Sequence, residues 1–141
     1  MCMKRLIFTD LDGTFLNHHN YSFEEASEAL KRIKEAEIPL IFTTSKTKAE
    51  VERLHQKVGI SEPFIVENGA ALFIPDGYQD FDLSFLRNYE DKKVMVFGKS
   101  YESVLDFYSA YKEEFTMVGF SDMSDVEVAN LTGLNQMDVM L

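Results

Sequence analysis

Cysteine is nearly absent: Cys2 stands alone among 141 residues. No intrachain disulfide can form, and a reducing, cytoplasmic setting fits such a chain. Basic charge is scarce as well. Lysine and arginine number 14 against 24 aspartates and glutamates, for a net charge of −10. No local basic patch offsets that balance, so a nucleic-acid backbone or an anionic membrane would be repelled, and neither is an expected partner. Long hydrophobic runs are missing too. The apolar stretch after Lys4 and Arg5 is only a few residues long, too short for a signal peptide or a membrane span. There are no internal repeats, low-complexity tracts or linkers rich in proline, glycine or serine. What remains has the length of one ordinary domain, with 45% hydrophobic and 27% charged residues. That is enough to bury a core.

The chain is organised around Ile7-Phe8-Thr9-Asp10-Leu11-Asp12-Gly13-Thr14. The apolar residues from Leu6 to Phe8 predict a short buried strand, and it ends in two carboxylates at i and i+2. Alternate residues at a strand end can point to one side, so Asp10 and Asp12 can share one small volume. Carboxylates that close need a cation between them, or one must keep its proton. Gly13 permits a turn at φ > 0 directly after the acids, and Thr14 adds a hydroxyl. A plain acidic turn would use the same residues. A calcium loop would not, because an EF-hand starting at Asp10 needs a bidentate Glu where Tyr21 stands.

Downstream, the segment from Phe15 to Tyr21 reads as a solvated connector. Its His18 and His19 lack a third metal ligand nearby. Ser22 and Glu25 have capping-box spacing, predicting a helix carried by Phe23, Ala26, Ala29, Leu30 and Ile33 and stopped by Pro39. A second buried strand is expected from Leu40, breaking into the hydroxyls of Thr43, Thr44 and Ser45. A helix then starts near Lys46 and runs to about Val58, with Gly59 as its stop. Hydroxyls and backbone N–H groups at a strand-to-helix junction make an anion site, and Lys46 adds favourable potential. The same residues would also serve as simple helix caps. A third strand, beginning at Phe64, ends in Asn68-Gly69, a hairpin turn into Ala71 to Ile74 that can also aim Asn68 at the site. Strand–helix–strand–helix order predicts an α/β fold with a parallel sheet and right-handed crossovers, with ligands at the C-terminal strand ends. Asp10 and Thr44 then fall on one edge.

From about Asp76 the chain becomes a polar crossing, followed by an expected strand around Val94 to Phe97. A helix is expected from Tyr101 to Glu114, a strand near Thr116 to Phe120, and a short helix opened by Ser124 and Glu127 and ending near Gly133. A further segment begins at Leu134. The aromatic stripe of the longer helix is expected to be core.

The octet from Ile7 to Thr14 resembles the nucleophile motif of the haloacid dehalogenase (HAD) superfamily of phosphotransferases, a hydrophobic strand followed by Asp-x-Asp-Gly-Thr. That resemblance implies that Asp10 attacks phosphorus, that Asp12 is acid and base, and that Mg²⁺ sits at Asp10 and Asp12. It gives Thr44 the position that hydrogen-bonds the transferring phosphoryl group. Gly13, Ser45, Lys46 and Asn68 are further candidate phosphate contacts. From Asp10 to Pro75 the chain is similar to the mannosyl-3-phosphoglycerate phosphatases, through Thr44-Ser45-Lys46-Thr47-Lys48-Ala49-Glu50 and Pro63-Phe64-Ile65-Val66-Glu67-Asn68-Gly69-Ala70. The implied substrate is a phosphorylated sugar or glycerate-type small molecule. The implied architecture is a partial HAD-like Rossmannoid core over residues 1–80 and part of an α/β cap over 81–141. The family's later lysine and acidic strand end have no counterpart here. The expectation is therefore a C-terminally truncated member with exposed strand edges, which offer a route to a homodimer. Two functions follow: a Mg²⁺-dependent phosphomonoesterase, or a non-catalytic domain that binds phosphate or a protein partner. A phosphoacceptor receiver domain fits less well, since Glu67-Asn68 stands where its phosphorylated Asp would end the third strand.

Overall fold

Alternation of side chains along short strands decides how this molecule is layered. The computed structural model describes residues 5–133 and residue 139. They divide into two compact units, one ending at Gly98 and the other beginning at Lys99. The first holds strands β1 (Ile7–Thr9), β2 (Leu40–Thr43), β3 (Phe64–Val66), β4 (Ala71–Pro75), β5 (Arg87–Tyr89) and β6 (Lys92–Val96), with helices α1 (Ser27–Glu35) and α2 (Lys48–Val58). All six strands form one sheet in the order β1-β2-β3-β4-β6-β5. β1, β2 and β3 are parallel, as their helical crossovers predict. The remaining pairings are antiparallel: β3–β4 is a hairpin at the Asn68-Gly69 turn, β5–β6 is a second hairpin, and β4 pairs with β6 past the intervening β5.

Leu40 and Phe42 of β2, Phe64 and Val66 of β3, Phe73 of β4 and Val94 of β6 lie in one buried cluster. The same cluster contains Leu30 of α1 and Val51 and Val58 of α2, so both helices cover one face of the sheet. Leu11, between the two acids, is fully buried in it, and the Phe15 ring lies 5.0 Å from Phe42 at a tilt of 49°. Burying Leu11 anchors the acidic turn to the core from within. His55 of α2 also lies inside, its ring 5.1 Å from both Phe42 and Phe64. The residues that alternate with this set, Ile41, Ile65 and Leu72 among them, face the other way and line an open cavity of about 1050 Å³.

Several local expectations are corrected. The capping box at Ser22 does not form. The Ser22 N–H already donates to Asn20 Oδ1 at 3.0 Å, and Glu25 instead accepts from Asn17 at 3.1 Å. The chain enters α1 through a 3-10 turn at Glu24–Ala26. α2 starts at Lys48, later than Lys46, because Thr47 is its N-cap in a reciprocal box with Glu50. Gly59 ends it in the left-handed conformation, φ 68°. β5 falls in the stretch read as a polar crossing. All three of its residues are exposed, so it lacks the alternating pattern that marks a strand from sequence. It joins the same sheet as β6, so the sheet continues past residue 80.

The second unit contains α3 (Tyr101–Tyr111) and α4 (Asp125–Thr132), the latter capped by Ser124 and Glu127 as predicted. The expected strand near Thr116 is absent. The chain there wraps the Tyr108 side chain, whose hydroxyl accepts from Gly119 N–H at 2.7 Å and donates to Asp122. A Cβ on Gly119 would stand 3.0 Å from the Tyr108 ring, so glycine allows this close approach. The stripe of α3 formed by Val104, Leu105, Tyr108 and Tyr111 is not a buried core: Val104 and Tyr111 are exposed, and Leu105 and Tyr108 are half-buried. A helical stripe becomes core only where a second apolar layer covers it. The segment beginning at Leu134 lies outside the described residues, apart from Val139.

Candidate active site

Three parallel strands deliver three polar ends to one edge of the sheet. β1 ends before Asp10, β2 before Thr44 and β3 before Glu67. Thr9 stands opposite Phe42 and Thr43 opposite Ile65, so these ends are neighbours.

The first end is a tight turn. The Leu11 carbonyl accepts from the N–H groups of Thr14 at 3.2 Å and Leu16 at 2.8 Å, and Gly13 sits at φ 71°. That conformation is open to glycine at no steric cost. Asp10 and Asp12 are both exposed on either side of buried Leu11. His18, set aside in the sequence as a connector residue, brings its Nδ1 to 3.8 Å from where a Gly13 Cβ would be.

The second end binds itself to the first and the third. Lys46 Nζ lies 3.0 Å from Asp12 Oδ1 and 3.9 Å from Glu50. It also sits 5.3 Å above the Tyr21 ring. Thr44, only 3% exposed, accepts from Lys46 N–H at 3.2 Å through its hydroxyl. Its backbone N–H donates to the Ile65 carbonyl, and its carbonyl accepts from Asn68 N–H, both at 3.0 Å. Lys46 C=O accepts from Glu67 N–H at 3.1 Å. Asn68 is thereby pinned beside Thr44 in a left-handed conformation, φ 56°. Such a residue costs strain outside glycine and asparagine, and Asn tolerates it best.

Lys46 reaches Asp12 because it precedes the helix. A residue inside α2 would have its direction fixed by the helix; here the N-cap Thr47 separates it from Lys48. The helix N-terminus itself is closed by its own capping box, with Thr47 N–H donating to Glu50 at 2.8 Å. The box engages the N–H groups of Thr47 and Glu50 at the expected anion site. Ser45 is exposed in the loop before α2. Asp12, Gly13, Thr44, Lys46 and Asn68 are thus brought together, and Asp10 follows the end of β1 on the same edge. Sequence reasoning missed Tyr21 and Glu50. Glu50 carried a signal, the i,i+4 spacing from Lys46; the left-handed backbone of Tyr21, φ 54°, carried none.

The model of the haloacid dehalogenase-like hydrolases matches residues 7–99, which include both units' junction and all of these groups. The chain belongs to that family. Over 130 residues this family member is 48% identical to a glucosyl-3-phosphoglycerate/mannosyl-3-phosphoglycerate phosphatase of Persephonella marina, covering 92% of this chain and 48% of the relative. Over 135 residues it is 42% identical to the enzyme of the same description from Methanococcoides burtonii, covering 94% and 50%. The chain therefore spans about half the length of the curated relatives it matches. A crystal structure from Thermotoga maritima superposes with a TM-score of 0.63 at 18% identity, over 94% of this chain and 48% of that one, which shows the fold.

Magnesium is usually held by one or two protein carboxylates, with water and phosphate oxygens completing its shell. Asp10 and Asp12 supply that number and that chemistry. Among the described residues no group of three or more His, Cys, Asp or Glu side chains converges on a metal-sized site. Two acids are what a cation that takes the rest of its shell from water and phosphate asks of the protein. No described helix is long and apolar enough to cross a membrane.

Proposed function

We propose that this chain carries the nucleophile-bearing part of a magnesium-dependent phosphomonoesterase acting on a phosphorylated glycosyl glycerate. One observation carries the reading: Asp12, Lys46 and Thr44 meet at the sheet edge that Asp10 occupies. The names of the curated relatives supply the substrate class. In this reading a carboxylate oxygen of Asp10 attacks phosphorus, the bond to the leaving oxygen breaks, and Asp12 gives that oxygen its proton. A water then attacks the resulting aspartyl-phosphate, Asp12 takes the water's proton, and phosphate departs with Asp10 restored. The Thr44 hydroxyl, Ser45, Asn68 and the backbone at Gly13 orient the oxygens that do not react. Lys46 exchanges the Asp12 carboxylate for a phosphate oxygen as substrate arrives. Magnesium, when bound, would neutralise phosphate charge so that a carboxylate can approach, with the Asp10 carboxylate and the Asp12 backbone carbonyl as its protein ligands. The sheet-bearing unit, which continues past residue 80 to Gly98, holds the family core in this scheme, and the residues after it begin a cap that selects substrate.

A second reading, phosphate binding without turnover, is favoured by the lack of a third acid clustered with Asp10 and Asp12 among the described residues. Hydrolysis of mannosyl- and glucosyl-3-phosphoglycerate with Mg²⁺, wild type beside Asp10→Asn, separates the two. Turnover that falls about 1,000-fold or more in the variant is the expected result. A folded wild type no faster than the variant would overturn the enzyme and leave the binding domain, which titration with inorganic phosphate then tests.

A further inference from the structure

Beside the candidate site, a loop holds a bulky residue in a conformation that large side chains avoid. Tyr21 sits at φ 54°, in the left-handed region, where such a residue is strained. The chain around it secures that conformation with its own hydrogen bonds. Asn17 N–H donates to the Ser22 carbonyl at 2.8 Å, and Tyr21 N–H donates to the Asn17 carbonyl at 2.9 Å, which closes the loop between them. Asn17 Oδ1 accepts from His19 N–H at 2.8 Å, and Asn20 Oδ1 accepts from Ser22 N–H at 3.0 Å. Asn17 Nδ2 ties the loop to Glu25, at the entry to α1, at 3.1 Å. Short polar side chains that bond nearby backbone in this way fix a turn without help from a ligand.

The ring of the strained residue lies against a charge. Lys46 Nζ stands over it, 5.3 Å from the centroid, within the ~6 Å over which a ring face attracts a cation. An exposed tyrosine alone is ordinary, and Tyr21 is 61% exposed. A tyrosine that bears backbone strain and lies under the lysine paired with Asp12 is not. Lys46 has two carboxylates beside it as well, Asp12 at 3.0 Å and Glu50 at 3.9 Å. Both carry the charge of an incoming phosphate and repel it, whereas the ring is neutral. It can therefore keep its hold on the ammonium while Asp12 lets go. A lysine side chain has many rotamers, and restricting them beforehand spares that entropy when an anion binds.

We propose that Tyr21 is a positioning residue, whose ring keeps the Lys46 ammonium at the site while Lys46 exchanges Asp12 for a phosphate oxygen. The role rests on the reading of Lys46 as a phosphate contact. It adds what holds that charge once its carboxylate is released.

Two measurements on the full chain test it. Proton–carbon correlation spectra read the contact without ligand. The Lys46 ε-methylene signal, identified by its loss in Lys46→Met, should be shifted upfield by the ring. The shift should persist in Tyr21→Phe, which keeps the ring face, and vanish in Tyr21→Leu, which has the same backbone strain and no ring. Circular dichroism checks that each variant folds. Calorimetry with inorganic phosphate reads the consequence. Tyr21→Leu should bind about 3- to 5-fold more weakly, the range of an exposed cation–π contact, and Tyr21→Phe as tightly as wild type. In a Lys46→Met background, Tyr21→Leu should weaken binding no further. Unchanged affinity in Tyr21→Leu, a loss as large in Tyr21→Phe, or an equal loss in the Lys46→Met background each overturns the role. Wild type that shows the shifted signal but binds no phosphate overturns the phosphate site and the role with it. Bound phosphate without a shifted signal overturns the role alone.

Discussion

Lowering the pH should weaken this protein through His55 in particular. The ring is 7% exposed, wedged between Phe42 and Phe64, and its Nε2 is buried without a hydrogen-bond partner. Burial disfavours the charged imidazolium, and Lys92 adds repulsion that Glu52 only partly offsets, so the ring titrates at about 4 instead of 6.5. The unfolded chain therefore binds a proton at a higher pH than the folded one. Stability from this group is complete above pH 6.5 and falls as the pH drops towards 4, where it levels off. The gap between 6.5 and about 4 amounts to about 3 kcal/mol, at ~1.4 kcal/mol per pH unit. The perturbation that isolates it is His55→Leu, an uncharged side chain of similar bulk. Urea unfolding of both proteins at pH 7, 6, 5 and 4 gives the difference in stability at each pH, and the carboxylates common to both cancel. Wild type should lose about 3 kcal/mol relative to His55→Leu across that range. A difference that stays constant with pH would refute the view that burial keeps the ring neutral.

Two further outcomes follow from the site and its supports. Lys46→Met removes the cation beside Asp12, and inorganic phosphate should bind about 10-fold or more weakly by titration calorimetry, the range of one charged hydrogen bond; unchanged affinity would take Lys46 out of the site. Thr47→Ala opens the capping box with Glu50 and should lower stability by about 1 kcal/mol in urea, with α2 otherwise intact by circular dichroism.

The family and the placing of the acids were legible in the sequence because their signals are local. An apolar strand cut off by Asp-x-Asp-Gly-Thr needs no partner to be recognised. A glycine at φ 71° after two acids and a left-handed Gly59 closing α2 are properties of single residues. The order of strands and helices then implied parallel pairing for β1, β2 and β3, and with it the meeting of Asp10 and Thr44 on one edge. Likewise the Ser124 cap of α4 lies within four residues of chain.

What the sequence left undecided depends on competition for partners across the fold. Ser22 and Glu25 had the right spacing for a capping box, but Asn20 took the N–H that Glu25 needed. β5 pairs with β6 although its side chains carry no inward face. The α3 stripe reads as core in a helical wheel, yet it is not buried, because packing requires a second surface. Lys46 could have pointed anywhere along its loop; only the packing of β1 beside β2 put Asp12 within 3.0 Å of it. The apolar alternation of the strands likewise marked both faces as buriable. Which face α1 and α2 would cover, and which would stay open, was decided by the direction and hand of the crossovers, a property of the assembled sheet.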